Sequence, residues 1–357
     1  MNKTIYIAAG GTGGHVFPAE QLAKQVKYHR MQPIWIGRKA GLEEKVCQQH
    51  NIPKVAINVS AFRGRSGKLF AFIKLSIAIV KLLFVFLFRR PKAVILMGGY
   101  VSLAAGVAAI LLRVPLYLHE QNSIMGGTNK IFYPFIKKGF CAYPSLEKEY
   151  TKMVYVGNPL RYKGFKFDLK SMDKKNIVVI GGSQGAKQLN DLMLEFYTMK
   201  GSQKYKIWHI TGLNDYMRVG SICKDYHHIH RIDAFYDQMD KVYEWADIVI
   251  SRSGAMTLSE LAYFGVPALL SPYPHAADDH QKTNADYFIR NGAAEYCPST
   301  ARDLLKELNA ITKSKKRLAE ISKNMNKLYK SNAALTMIES ITDQIPILKT
   351  DNIGNPS

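Results

Sequence analysis

Near its N-terminus the chain reads Thr4-Ile5-Tyr6-Ile7-Ala8-Ala9-Gly10-Gly11-Thr12-Gly13-Gly14-His15-Val16-Phe17-Pro18-Ala19. A short apolar strand runs straight into four glycines and then into a helical pattern. Glycines at that junction let the backbone turn tightly and bring its N–H groups up to a ligand at the start of the helix. The apolar run is too short for a secretory leader, and no small-residue cleavage site follows it, so a leader is not expected. A dinucleotide fingerprint fails: Gly11-x-Gly13 is followed by Val16 where the third glycine belongs. The second strand also ends Gly37-Arg38-Lys39 instead of in an acid that would hold a ribose. His15 stands at the mouth of the turn, where a neutral imidazole can take a proton from an attacking hydroxyl, and is a candidate general base.

Outward from this turn, short apolar runs alternate with helical patterns, the signature of α/β layers with parallel sheets. Strands are expected at 4–9, 33–37, 93–97, 115–119, about 139–143 and 153–156, then at 176–180, 205–210, 229–232, 247–251 and 266–271. Each half has a glycine-rich turn directly after a strand. Gly157-Asn158-Pro159-Leu160-Arg161 and the basic, irregular stretch from Tyr162 to Lys175 form the expected linker. Residues 302–330 carry nine Lys and Arg against three acids, with Leu304, Leu308, Ile311, Leu318 and Ile321 at helical spacing.

Further polar clusters follow other strands. Met97-Gly98-Gly99-Tyr100-Val101-Ser102 repeats the pattern of strand, glycines and helix. His119-Glu120-Gln121-Asn122-Ser123 closes the next strand, where open α/β sheets bind ligands. Gly181-Gly182-Ser183-Gln184-Gly185-Ala186 is not a P-loop, because Ala186 precedes Lys187 and Gln188 follows it, which argues against nucleotide hydrolysis. Ser251-Arg252-Ser253-Gly254-Ala255-Met256-Thr257-Leu258-Ser259-Glu260 starts a helix whose N-terminus suits a diphosphate, and Glu260 is placed to accept both hydroxyls of a ribose. Asp278 and Asp279, in Pro272 to Gln281, and the triplet His227, His228 and His230 lack further ligands at metal spacing, so no metal site is expected.

The chain has 357 residues, enough for two domains; its composition, with 47% hydrophobic and 22% charged residues, excludes disordered, collagenous and coiled-coil classes. Cys47, Cys141, Cys223 and Cys297 lie far apart with no CxxC pair, so neither a disulfide framework nor a zinc site is expected and a reducing cytoplasm fits. The net charge is +21, and over half of it comes from Lys45 to His119, 75 residues with eleven Lys and Arg and no acid. Within that block Leu69 to Phe88 is apolar except for Lys74, Ser76 and Lys81; as a helix it is about 30 Å long. A spanning helix would bury two lysines in hydrocarbon, at roughly 2.5–3.5 kcal/mol each if central. A purely internal crossover helix needs only an apolar stripe. The reading adopted is a crossover helix whose outer face, with Phe70, Ile73, Ile77, Phe84 and Phe88, dips into a membrane surface. Lys74 and Lys81 share a narrow polar stripe, and Arg63, Arg65, Arg89 and Arg90 meet anionic lipid.

Taken together, GGTGGHVFPA, GGYVS, HEQNS, GNPLR, GGSQGA, SRSGAMTLSE and PHAADDHQ resemble, in order, the motifs of the MurG family, the UDP-N-acetylglucosamine:N-acetylmuramyl-(pentapeptide) pyrophosphoryl-undecaprenol N-acetylglucosaminyltransferases. The resemblance covers about residues 4–335. It implies a GT-B fold, two Rossmann-like α/β domains with parallel sheets facing across a cleft. The implied division is an N-terminal acceptor and membrane-associating domain (1–158), a C-terminal UDP-sugar domain (159–335) and a helix end and tail (336–357) that packs back on the first domain. The implied reaction is inverting transfer of N-acetylglucosamine to the 4-hydroxyl of the N-acetylmuramic acid of lipid I, making lipid II at the cytoplasmic face of the bacterial cell membrane without a cofactor. Carried over by position, Thr12, Gly13 and Gly14 line the sugar and diphosphate side and Asn122 meets the sugar. Arg161 and Ser183, with Gln184 beside it, reach the diphosphate and nucleotide; Arg252 belongs to the same site. Ala255, Met256, Thr257, Leu258, Ser259 and Glu260 hold diphosphate and ribose, Gln281 contacts the sugar, and the uracil contact falls near Phe235-Tyr236. His15 and Glu120 compete for the role of base. The rivals are a related lipid glycosyltransferase with another acceptor and a non-catalytic basic lipid- or nucleic-acid-binding protein. The second is disfavoured because no RNA- or DNA-reading motif is present, so no nucleic-acid partner is expected.

Overall fold

The computed structural model of the chain describes residues 3–60, 65–165, 175–182, 185–274, 276 and 279–342. The described residues form two compact units, one within Met1–Glu120, Met125–Arg161 and Ser331 to Thr342, the other within Gln121–Ile124 and Tyr162–Lys330. Contacts thus divide the chain after Arg161 and after Lys330, where the motif reading divides it after 158 and after 335.

The first unit is built on seven strands: β1 (Thr4–Ala8), β2 (Gln32–Arg38), β3 (Lys54–Ile57), β4 (Ala93–Leu96), β5 (Leu116–Glu120), β6 (Lys138–Cys141) and β7 (Met153–Tyr155). All pair in parallel, in the order β3-β2-β1-β4-β5-β6-β7. A parallel sheet is covered on both faces, which is why its strands are apolar at successive positions. Along β1 the alternation divides two cores. Tyr6 and Ala8 pack with Ala78, Leu82 and Phe86 of the helix Arg65–Phe88 and with Ala104, Ala105 and Ala108 of the helix Gly99–Leu111. Ile5 and Ile7 face Val16, Ala19 and Leu22 of the helix Gly13–Tyr28 and Met337, Ile338 and Ile341 of the helix Ala333–Thr342, so a helix that follows the second unit in sequence completes this second core of the first unit.

The helix Arg65–Phe88 has an internal and an external face. Ala78 and Phe86 are buried, whereas Phe70, Ile73, Ile77, Phe84 and Phe88 are exposed, Phe88 to 85%. Lys74 and Lys81 flank the outer face, and Lys81 Nζ donates to the Ala56 carbonyl at 2.8 Å. Arg89 and Arg90 are exposed just beyond its end; Arg63 and the side chain of Arg65 lie outside the described residues. By length and composition Leu69–Phe88 is long and apolar enough to cross a membrane.

The second unit has six parallel strands: β8 (Asn176–Ile180), β9 (Lys206–Ile210), β10 (Ile229–Asp233), β11 (Ile248–Ser251), β12 (Ala268–Leu270) and β13 (Ala294–Tyr296), in the order β10-β9-β8-β11-β12-β13. Ile177 and Val179 pack with Leu189, Met193 and Phe196 and with Leu304, Leu308 and Ile311. The basic segment at 302–330 forms two helices, Ala301–Lys313 and Lys315–Lys327, broken at Ser314, whose side chain caps the second by accepting from the Arg317 N–H. Residues 166–174 of the expected linker lie outside the described residues, as does the tail after Pro346.

The expected strands are present, and two more appear at sheet edges: β3 in the first sheet and β13 in the second. β13 carries Glu295 between Ala294 and Tyr296. An edge strand needs only one ladder and one apolar contact face, so so short a run escapes a search for apolar periodicity.

Candidate active site

In each sheet the strand order reverses once beside the first strand of the unit, between β1 and β4 and between β8 and β11. Loops leaving the carboxyl ends of strands on either side of such a switch point diverge and leave a crevice, where open α/β sheets bind ligands. The motifs lie at carboxyl ends: after β1, β4 and β7 in the first unit, and after β8, β11 and β12 in the second, while HEQNS ends β5 with His119 and Glu120 and continues into Gln121–Ile124 of the second unit.

At the first switch point the turn after β1 is anchored from behind. Trp35 Nε1 donates to the Ala9 carbonyl at 2.8 Å, and Ser102 Oγ lies 3.2 Å from the Ala8 carbonyl while accepting the Gly98 N–H. Gly98 and Gly99 have φ of +96° and +74°; a Cβ added at Gly98 would stand 3.1 Å from His15 Nε2. The second glycine turn is therefore the seat of the His15 ring. Burial lowers the His15 pKa from 6.5, while the Glu120 charge and a hydrogen bond to the Gly10 carbonyl pull it back up. That bond fixes one ring nitrogen as a donor and leaves the other as a lone-pair acceptor in a neutral ring.

Glu120, buried at the end of β5, accepts from the Gly126 N–H at 2.9 Å and from Asn129 Nδ2 at 2.8 Å through Oε2. Hydrogen bonds to a charged group are worth roughly 1.5–3 kcal/mol each. Both bonds hold this carboxylate against the turn that follows, and its charge raises the pKa of His15. His119 is buried and neutral, its pKa lowered to about 4 by desolvation, and its Nε2 donates to the Gly157 carbonyl at 3.1 Å. The HEQNS and GNPLR motifs are thereby tied together, a link that sequence reasoning missed. Thr12 is exposed at the turn, Gly13 and Gly14 begin the helix, and the Arg161 guanidinium lies 5.2 Å over the Phe17 ring. Arg38, at the end of the second strand, is paired with buried Glu43 at 3.0 Å.

In the second unit the helix Ala255–Phe264 starts at Gly254 with no side-chain cap, so the amides of its first turn point out of the switch point. Ala255 and Leu258 are buried and offer only backbone, whereas Met256, Thr257, Ser259 and Glu260 are partly exposed. Arg252 Nη1 donates to the Ser271 and Pro272 carbonyls at 2.9 and 3.1 Å, and Nη2 to Gln188 Oε1 at 3.2 Å, so this guanidinium ties the loops after β11 and β12 to the start of the helix Lys187–Thr198. Ser253 Oγ donates to the Gln281 carbonyl, and Gln281 Oε1 accepts the Tyr273 N–H. Buried Asn284, absent from the sequence reading, joins the motifs: its Nδ2 donates to Asn122 Oδ1 (3.1 Å) and the Ser253 carbonyl (3.2 Å), and its Oδ1 accepts the Ser123 N–H (2.8 Å). Glu260 accepts the Tyr243 hydroxyl at 2.7 Å and the Tyr162 hydroxyl at 3.2 Å.

Ser183 and Gln184 lie outside the described residues; beside them Gly185 has φ +84°, and a Cβ there would stand 2.6 Å from the Thr211 carbonyl. Only glycine lets this loop lie against the end of β9. The Tyr236 ring packs edge-on to Trp208 and lies 4.7 Å from the Arg231 guanidinium, while Phe235 is exposed. The histidine triplet disperses, with His230 stacked on Trp245 and His228 beside Ser202. Among the described residues no group of three or more His, Cys, Asp or Glu is gathered to hold a metal.

Two parallel-sheet α/β units with glycine-rich loops at their switch points have the architecture of a GT-B glycosyltransferase fold, and comparison with known proteins agrees. Residues 5–141 match the glycosyltransferase family 28 N-terminal domain and residues 176–337 its C-terminal domain. A Coxiella burnetii protein (strain RSA 331 / Henzerling II) named UDP-N-acetylglucosamine--N-acetylmuramyl-(pentapeptide) pyrophosphoryl-undecaprenol N-acetylglucosamine transferase is 35% identical over 353 residues, covering 95% of this chain and 97% of its own. A Shewanella frigidimarina protein of the same name is 36% identical, covering 89% and 90%. The crystal structure of Acinetobacter baumannii MurG superposes with a TM-score of 0.76 at 28% identity, covering 96% of this chain and 99% of that one. The UDP-GlcNAc 2-epimerase of Neisseria meningitidis, at 12% identity and a TM-score of 0.69, shares the fold alone. The chain belongs to the MurG family.

Proposed function

We propose that this protein transfers N-acetylglucosamine from UDP-N-acetylglucosamine to the 4-hydroxyl of the N-acetylmuramyl residue of lipid I, with inversion, forming lipid II at the cytoplasmic face of the bacterial membrane. The observation that carries this reading is the placement of the described parts of the family motifs at the carboxyl ends of parallel strands on both sides of the switch point in each sheet, with the one after the edge strand β7 tied in by the bond from His119 to the Gly157 carbonyl.

The first unit handles the proton. As the acceptor hydroxyl attacks the anomeric carbon, neutral His15 takes its proton and the bond from that carbon to the UDP oxygen breaks. Glu120 favours the imidazolium that results. The second unit holds the donor: first-turn amides from Ala255 onward meet the developing diphosphate charge, Glu260 takes the ribose hydroxyls, and Gln281 and Asn122 meet the sugar. Of the other donor contacts that the resemblance implies, Thr12, Gly13, Gly14 and Arg161 belong to the first unit, and Ser183 and Gln184 lie outside the described residues. Arg252 and Asn284 act through the loops they tie, and Tyr236 supports the base-binding segment through its Trp208 and Arg231 contacts.

The lipid-linked acceptor requires the enzyme to work at a membrane. The helix Arg65–Phe88 supports a peripheral mode: its inner face is committed to a protein core, so its outer face lies along the bilayer surface. Arg89 and Arg90 add about 1 kcal/mol each on anionic lipid.

Transfer of radiolabelled N-acetylglucosamine to a lipid I analogue tests the reading. Product formation with UDP-N-acetylglucosamine, against none with a diacylglycerol acceptor, is expected. Transfer to diacylglycerol alone would assign the chain to another lipid glycosyltransferase activity.

A further inference from the structure

Glu260 is held by two tyrosines from different parts of the second unit, and the two grips are unequal. Tyr243, on the helix Met239–Trp245, is 1% exposed, and its ring packs 5.3 Å from that of Phe264. Its hydroxyl donates to Oε2 at 2.7 Å, the shorter of the two bonds. Tyr162 reaches Oε1 at 3.2 Å from a ring stacked on Tyr263 and edge-on to Phe264. Glu260 itself sits partly exposed on a helix surface, where an unrestrained side chain samples several rotamers.

We propose that Tyr243 is the positioning residue that fixes the Glu260 carboxylate for a vicinal diol and so makes the donor site selective for ribonucleotides over 2′-deoxyribonucleotides. An ionised carboxylate only accepts hydrogen bonds and has lone pairs for tyrosine and sugar hydroxyls together. Bidentate acceptance from the 2′- and 3′-hydroxyls requires its plane to be set before the nucleotide arrives. The buried Tyr243 ring supplies that fixed point, and the bond removes the freedom that binding would otherwise have to freeze. A nucleotide without the 2′-hydroxyl then leaves a carboxylate oxygen facing a C–H, the arrangement by which polar sites reject analogues that lack a hydroxyl. The assignment rests on Glu260 as the ribose acceptor, proposed above.

The test is titration calorimetry of UDP and 2′-deoxy-UDP against the full chain, with Tyr243→Phe, Tyr162→Phe, Glu260→Ala and the double variant Tyr243→Phe/Glu260→Ala. The wild type is expected to prefer UDP by roughly 10- to 100-fold, as for the loss of one hydrogen bond to a charged group. Tyr243→Phe, which keeps the packed ring, is expected to bring the preference to within about threefold, chiefly by weakening UDP binding. Adding it to Glu260→Ala should change the preference no further, because the tyrosine acts through the carboxylate. The ratio is insensitive to a general loss of folded protein, which lowers both affinities alike. A Tyr243→Phe protein that keeps the wild-type preference, or a preference that collapses only in Tyr162→Phe, overturns the role of Tyr243 and leaves Glu260 standing. A wild type that binds both nucleotides equally overturns the ribose reading of Glu260 and the proposal with it.

Discussion

At the switch point of the first sheet, between β1 and β4, His15 sits in a seat of glycines within the field of buried Glu120, with neutral His119 behind them. At the corresponding point of the second sheet, between β8 and β11, the assembled groups are backbone amides, the Ser253 hydroxyl, the Asn284 carboxamide and the Arg252 guanidinium. Both units use a glycine turn after a strand, yet one gathers titratable side chains and the other gathers backbone amides, a hydroxyl, a carboxamide and a guanidinium, which the proposed function reads as a place for a proton and a place for an anion. The difference lies in what the turns enclose. Around His15 the pKa is tuned by burial against a nearby carboxylate, a balance suited to a base at neutral pH. In the second unit the helix amides and hydroxyls do not titrate near neutrality, so donor affinity should vary little with pH there.

That contrast can be broken by experiment. The largest effect is expected from His15→Ala: kcat for transfer to a lipid I analogue should fall by roughly 10²- to 10⁴-fold, the usual contribution of a general base. If steady-state kinetics show a loss in donor KM alone, the proton role belongs elsewhere. Glu260→Ala should raise the donor Kd by roughly 10- to 100-fold, measured by titration with UDP, because it removes charge-assisted hydrogen bonds.

A smaller effect is expected at the outer face of the helix Arg65–Phe88. Ile77→Asp should weaken flotation with phosphatidylglycerol vesicles by about tenfold, since it replaces an exposed apolar side chain with a charge repelled by that surface. Turnover of a membrane-embedded acceptor should fall with it more than turnover of a soluble acceptor analogue.

The smallest effect sharpens the roles of the two candidate bases. His15 has its pKa lowered from 6.5, so kcat/KM should fall on acidification with a midpoint below that value, as the ring takes a proton and ceases to be a base. The Glu120 charge favours the protonated ring, so Glu120→Gln should move the midpoint further down while transfer persists. Abolition of transfer by Glu120→Gln, with the acid limb unmoved in other variants, would make Glu120 the base.

Much of this division was legible in the amino-acid sequence because it is local. Glycines after an apolar run dictate a turn before a helix, and the exposed face of Leu69–Phe88 follows from a stretch apolar all round. The groups that finish the site are not local. Asn284 meets Asn122 and Ser123 some 160 residues away in sequence, and His119 meets Gly157, so neither contact leaves a periodic trace. Tyr243 reads as a core aromatic, which it is; only its hydroxyl, aimed at Glu260, tells of more. Strand β3 was hidden for a related reason, since Lys54-Val55-Ala56-Ile57 draws its identity from pairing with β2.

The most direct test of the division between the units is the UDP affinity of His15→Ala, measured by calorimetry on a protein already found deficient in transfer. The account predicts a Kd within about threefold of the wild type, because a residue that acts only on the proton contributes little to ground-state donor binding. A Kd raised as far as in Glu260→Ala would contradict it and place His15 among the groups that hold the donor.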